Sequence, residues 1–289
     1  MRGLQLLLLL LVSTGCFTPA ALNAAELRLC QHAPDKYAYR LELTELILQR
    51  TNARYGELSI TPSSAADPTQ GRCLIMLRDG QVDLAFMPPT EQRLHDFAVI
   101  PFDLHAGMLG YRLLLIHRDD AARFAQINNL EQLQQMTGGF GSQWSDFVIF
   151  ARNHLPVVGM ANPDSLLAML NKHRFDYFHR GLHEAQAELQ AHATEFPELI
   201  IEPHLALVYD LRVYFTFNQH NQQLRQRFED GLAQIRADGS WQALFLRHYG
   251  KIAEQAQLQK RTFIALSYPN PAGLAPIDTS LWLPLKQQP

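Results

Sequence analysis

The stretch Asp83-Leu84-Ala85-Phe86-Met87, halted by Pro88-Pro89, decides the fold class. Its apolar residues run without alternation, the pattern of a strand covered on both faces, and proline cannot continue the ladder. Working outward, the same kind of segment recurs at Leu27 to Cys30, Leu113 to Ile116, Phe175 to Phe178 and Val213 to Phe217. Helical spacing fills the gaps. It appears in Leu43, Leu46 and Ile47, in Leu130 and Leu133, and in Leu166, Leu167 and Leu170 behind an Asn162-Pro163 cap. Leu224, Phe228, Leu232 and Ile235 form a further stripe that Asp238-Gly239 ends, and Trp241, Leu244, Phe245 and Tyr249 form the next. Thr137 to Ser142 reads as a glycine-rich turn. Strands alternating with helices predict α/β layers with largely parallel sheets.

The chain has 289 residues, 47% hydrophobic and 18% charged, with a formal net charge of −3. That composition supports a sizeable core and excludes a disordered chain, a collagen-like rod and a small disulfide scaffold. Without a basic block, a nucleic-acid partner is not expected. Met1-Arg2, the leucine run from Leu4 to Val12 and the small residues up to Ala24-Ala25 make a secretory signal peptide, too short in its apolar part to span a bilayer. Residues 1–25 are therefore expected to be removed and the mature chain exported, to a bacterial periplasm. Ser13-Thr14-Gly15-Cys16 also resembles a lipoprotein signal in which Cys16 carries lipid, although Ser13 stands where leucine is usual. Cleavage after residue 25 removes Arg2 and no acid, leaving 24 basic against 28 acidic residues and a net −4. Cys30 and Cys73 remain, and an oxidising compartment invites one disulfide between them; two buried thiols are the alternative. Residues 268–289 are proline-rich and aperiodic, an extended tail on the body or a disordered end.

Several segments, in order, carry a resemblance. Leu77-Arg78-Asp79-Gly80-Gln81-Val82-Asp83-Leu84 is a helix-to-strand passage, followed by Thr90-Glu91-Gln92-Arg93. Ile127-Asn128-Asn129-Leu130-Glu131-Gln132-Leu133, Arg174-Phe175-Asp176-Tyr177 and Asp238-Gly239-Ser240-Trp241 follow. From Leu27 to Gly250 the chain resembles the family 3 periplasmic solute-binding proteins, amino-acid-type receptors of ABC transporters with the type 2 periplasmic-binding fold. The resemblance implies two α/β lobes joined by two hinge strands and closing on a ligand in the cleft between them. Lobe 1 would be 26–113 plus 211–267, lobe 2 would be 114–210, and 268–289 the tail.

It also implies a site. The arginine of the second segment, Arg93, would hold a ligand carboxylate through its planar pair of donors. Gly141 and Ser142, in the glycine-rich turn before an expected helix, would offer backbone N–H groups to an anion, with Trp144 stacking on the ligand. His32 and Tyr37 follow the first strand and would border the cleft. The family's ammonium-binding aspartate would fall at Gly181, beside Arg180, so an ordinary α-amino acid lacks its usual anchor here. Either Arg180 and Arg93 together receive an anionic ligand, or Arg180 faces solvent and Glu184 or Asp35 receives the ammonium.

Twelve histidines raise a metal reading, in which His179 and His183 sit at i,i+4 spacing beside Glu184. A periplasmic, metal-dependent enzyme using these three residues is the rival function. There is no nucleophile elbow, CxxC or dinucleotide fingerprint. The expected function is thus a monomeric periplasmic solute-binding protein, not an enzyme and without a cofactor. It would take a small polar or anionic solute, amino-acid-like or carboxylate, and serve an inner-membrane ABC permease or a membrane sensor.

Overall fold

The computed structural model describes residues 25–63, 68–144 and 146–283, apart from the side chain of Asp35. Residues 1–24 of the expected signal peptide 1–25, Cys16 among them, lie outside the described residues. Among the described residues are twelve strands: β1 Ala25–Leu29, β2 Leu58–Pro62, β3 Leu84–Met87, β4 Phe97–Val99, β5 Tyr111–His117, β6 Gly138–Gly141, β7 Val157–Met160, β8 Phe178–Gly181, β9 Leu199–Ile201, β10 Leu205–Val208, β11 Tyr214–Asn218 and β12 Thr262–Ala265. The helices are α1 Pro34–Tyr55, α2 Gln70–Arg78, α3 Glu91–Asp96, α4 Ala121–Phe124, α5 Leu130–Leu133, α6 Val148–Arg152, α7 Leu166–Asn171, α8 Leu182–Ala191, α9 Gln222–Ala237 and α10 Ser240–Ala256.

Two five-stranded sheets organise the chain. The first runs β2-β1-β3-β11-β4; the second runs β12-β10-β5-β8, with β9 also paired to β5. Neither is largely parallel, which corrects the sequence-based expectation. β1 is parallel to β2 and β3, but β11 returns from the second sheet and enters the first antiparallel to both neighbours. In the second sheet only β10 and β12 are parallel, and β5 is antiparallel to each strand it touches. Residues 262–265, expected in lobe 1, hydrogen-bond along β10 of the second sheet, and Arg261 anchors the approach on the carbonyls of Glu202 and Leu205.

Long helices close the first sheet. α1 starts with proline in its first turn, where the missing N–H costs nothing, and buries Tyr39, Leu43 and Ile47. It packs on α9, where Gly231 lets the helices approach: a Cβ there would lie 2.6 Å from an Ile47 methyl. Gly239 starts α10 with φ +77°, a left-handed turn suited to glycine. On the other face, Cys73 of α2 and Cys30, just beyond β1, form a disulfide with Cα atoms 5.8 Å apart. It closes a loop of sequence separation 43. Replacing both cysteines with serine should therefore lower stability by about 2–4 kcal/mol, read as a fall in the urea midpoint.

The glycine-rich segment is a strand, not a turn. Gly138 to Gly141 form β6, parallel to β7. The glycines admit aromatic rings at van der Waals range. A Cβ on Gly138 would lie 2.6 Å from Phe150, on Gly139 2.2 Å from Phe175, and on Gly141 2.7 Å from Trp144. The tail after β12 lies along the body as far as it is described. Asn270 donates to the Asp210 carbonyl, Arg212 to that of Ala275, and the Trp282 indole to that of Ala106. Leu283 is buried. Among the described residues no helix is long and apolar enough to cross a membrane.

Candidate functional site

Two segments cross between the sheets side by side, residues 108–110 and 209–213. Gly110 allows the approach, since a Cβ there would sit 2.0 Å from the Tyr209 carbonyl oxygen. In front of the crossing lies a cavity of about 780 Å³ with walls from both sheets. Gln31, Tyr37, Arg40 and Phe86 come from the first sheet and α1; Arg112, Arg180 and Glu184 come from the second sheet and α8, and Phe140, Trp144 and Asp146 from β6 and the segment after it.

The second wall is an ion-pair network. Arg112, the one charge in the otherwise apolar first half of β5, donates to Asp146 at 3.1 Å and to Glu184 at 3.4 Å, and lies 5.3 Å from the centre of the Tyr209 ring. The Tyr209 hydroxyl donates to the same Asp146 oxygen at 2.7 Å. Arg180 pairs with Glu184 at 3.2 Å and with Glu188 at 2.5 Å, while its guanidinium covers the Trp144 and Phe178 rings. Glu184 also accepts the Gly181 amide at 2.8 Å. Burial alone would raise the Glu184 carboxyl, but Arg180, His183 and Arg112 outweigh it and hold it at about 2. A depressed carboxylate stabilises the fold above its unfolded value near 4.5 and loses that contribution as pH falls toward about 2. The stability gap between the protein and Glu184→Gln, measured by urea midpoints, should accordingly be full at pH 6 and shrink progressively below 4.5.

The first wall is different. Arg40 is half-buried, with its guanidinium 5.3 Å from the Tyr37 ring centre and 5.6 Å from that of Phe86. Phe86 is itself fixed, because the Gln31 side-chain amide both donates to and accepts from its backbone at 2.9 Å. Arg40 Nε donates to His105 Nε2 at 3.0 Å. Burial, reinforced by Arg40 and His183, drives the His105 pKa well below its usual value, so the ring is neutral and able to accept. No carboxylate among the described residues pairs with Arg40, whereas Arg112 and Arg180 each have two. Burial lowers the Arg40 pKa, so an incoming anion would relieve an uncompensated cation. Charge in the cavity is three arginines against two carboxylates, and the surplus sits on Arg40.

No protein-family model matches the chain, and no curated protein matches it. Solved structures do match. One, from work on glutathione import through GshT and the cystine ABC importer TcyBC of Streptococcus mutans, has a TM-score of 0.56 at 11% identity, covering 78% of this chain and 95% of that one. An ancestral arginine-binding protein bound to glutamine matches with a TM-score of 0.53 at 15% identity, covering 78% and 98%. A histidine kinase sensor domain with similarity to periplasmic binding proteins matches at 0.53 and 16%, covering 79% and 96%.

This is the two-lobed periplasmic-binding-protein fold. In such a fold the cavity before the crossing segments is the interlobe cleft. Of the residues expected there, Tyr37, Trp144, Arg180 and Glu184 line it. Arg93, Gly141, Ser142 and His32 are not among its lining residues. Arg93 starts α3 beneath the Thr90 cap but turns to donate to the Pro88 carbonyl at 2.8 Å and to Gln70 at 3.3 Å. The Ser142 amide is spent on the Met160 carbonyl at 2.9 Å, and Gly141 lies under Trp144. His32 bonds the Cys30 carbonyl. Arg180 neither faces solvent nor stands free for an anion, because Glu184 and Glu188 engage it. The Asp35 side chain lies outside the described residues.

The rival metal constellation is corrected. His179 belongs to β8 and His183 to the first turn of α8, so they share no helix face. His179 stacks on Phe140 at 4.4 Å between ring centres and is buried among aromatic rings. Sequence reasoning missed Arg40, Arg112 and Asp146. Two of them carried a signal. Arg40 lies three and seven residues before Leu43 and Ile47, on the stripe of α1 that faces the core, and Arg112 interrupts an apolar strand.

Proposed function

We propose that the protein is a periplasmic solute-binding protein that captures a small anionic solute by closure of its two lobes. The observation that carries this reading is Arg40, which pairs with no carboxylate among the described residues and lines a cavity between the two sheets, where a ligand carboxylate would supply a partner. The acids of the opposite wall are already neutralised by Arg112 and Arg180, so a ligand ammonium would meet arginines rather than a free carboxylate. A carboxylate without an α-ammonium, or a larger polar molecule presenting its carboxylate to Arg40, fits best. The aromatic rings of Tyr37, Phe86, Phe140 and Trp144 suit an apolar or planar body behind it.

The role is binding rather than catalysis, in keeping with neighbours that are binding proteins. Both an importer system and a sensor domain stand among those neighbours, so the captured solute is delivered to an inner-membrane ABC permease or reported to a membrane sensor. Export through the N-terminal leader accords with the Cys30–Cys73 disulfide, which an oxidising compartment maintains. Lobe 2 in this reading is 114–210 with β12 added, and lobe 1 the remainder of the body.

A thermal-shift screen with a panel of mono- and dicarboxylates tests the reading, since a ligand of the folded state alone raises the melting temperature. Small-angle scattering of the best hit should show a smaller radius of gyration. A panel that gives neither a melting shift nor compaction, while neutral solutes or zwitterionic amino acids give both, would overturn the anionic assignment.

A further inference from the structure

We propose a divalent transition-metal site, of the zinc type, on the second lobe, formed by His117, Asp119 and His173. β5 ends at His117, Asp119 follows in a single 3-10 turn of residues 118–120, and His173 lies just beyond α7. One ligand atom from each falls within 4.8 Å of the others, and among the described residues no other such group occurs. The two imidazole rings stand 4.2 Å apart, centre to centre. His173 holds φ at +50°, the left-handed region that few side chains adopt, and in that conformation its ring meets His117.

A fourth residue has the place of an orienting partner. Asp120 Oδ2 lies 3.2 Å from His173 Nδ1. Metal-bound histidines commonly hand their second ring nitrogen to a carboxylate, which fixes the tautomer and leaves Nε2 for the ion. His117 Nδ1 accepts the Asp119 amide at 3.3 Å and so caps the turn; Asp119 Oδ2 lies 3.4 Å from the same nitrogen, and a bound ion would replace the amide at Nδ1. Capping explains His117 but requires neither the second histidine nor the second carboxylate. Two imidazoles and a carboxylate select zinc or a neighbouring transition ion over magnesium and calcium, which prefer all-oxygen sets. Three protein ligands leave a position for water. Along β5 the site is five residues from Arg112, about 16 Å at strand rise, so it is separate from the cleft. Bound metal would clasp the end of β5 to the turn between α7 and β8.

The test uses full mature protein without a histidine tag, stripped with chelator and titrated with zinc chloride by calorimetry. Cobalt chloride, read by visible absorption, gives a second signal from the same ligands. One equivalent is expected to bind. His173→Asn, which tolerates the left-handed backbone, and Asp119→Asn should each weaken binding by at least about tenfold with the circular dichroism unchanged. Absence of stoichiometric binding would overturn the proposal, as would wild-type affinity in both variants, which would place the zinc on other histidines.

Discussion

Replacing Arg40 with alanine is expected to weaken capture of a carboxylate solute by about 30- to 1000-fold, equivalent to about 2–4 kcal/mol, without lowering the stability of the empty protein. Both halves follow from the same geometry. A guanidinium flanked by Tyr37 and Phe86, and paired with no carboxylate among the described residues, can give a ligand a planar, partly desolvated pair of donors. Without a ligand the same charge is disfavoured by burial, so its removal relieves a cost that offsets the loss of its bond to His105. Arg40→Lys should recover only part of the affinity, because an ammonium offers a point charge and not a fork. Arg93→Ala is the informative companion. Arg93 supports the loop at Pro88 and Gln70, and its loss should reduce affinity by less than about tenfold, the range of a support lost from behind a contact. Calorimetry on the three variants decides the matter. If Arg93→Ala abolishes binding and Arg40→Ala leaves it intact, the anion belongs to Arg93 and the Arg40 assignment falls.

The contrast between these arginines marks how far the sequence could be read. Buried strands with unbroken apolar runs, such as β3 and the middle of β5, and helices with long stripes, such as α9 and α10, were legible because their burial leaves a periodic mark. β2, β9, β10 and β12 are three to five residues long, too short for periodicity to distinguish them from loops, and their pairing is decided by partners far along the chain. β6 departs from its turn-like sequence for a different reason. Its glycines suggest a turn locally, but three-dimensional neighbours, the Phe150, Phe175 and Trp144 rings, are what exclude a side chain. His179 and His183 looked like a helical pair because spacing carries no information about the strand-to-helix junction at Gly181. Trp144, Arg180, Glu184 and Tyr37, which the resemblance put in the cleft, do line the cavity, since they lie beside recognisable segments. It did not find which charges remain free. That depends on pairings such as Arg112 with Asp146, separated by 34 positions and invisible until the lobe is folded.

That pairing leads to the second large effect. Asp146→Ala should destabilise the protein by about 3–5 kcal/mol, because it strands a buried cation. Arg112 would keep only Glu184, at 3.4 Å and already shared with Arg180, and the buried Tyr209 hydroxyl would lose its acceptor. The loss should appear as a lower urea midpoint with an unchanged slope. Combining Asp146→Ala with Arg112→Met should restore part of the stability, since an apolar side chain of similar length removes the stranded charge rather than leaving it unpaired. Binding should move the other way. With Asp146 gone the cleft holds three arginines against one carboxylate, so Asp146→Ala that remains folded should bind a carboxylate solute at least as tightly as the unmodified protein. Joint loss of stability and affinity would instead mean that Asp146 contacts the ligand, and would restore an acidic anchor to the second wall. Opposite movements would establish that the acids of this wall serve the fold and leave recognition to Arg40.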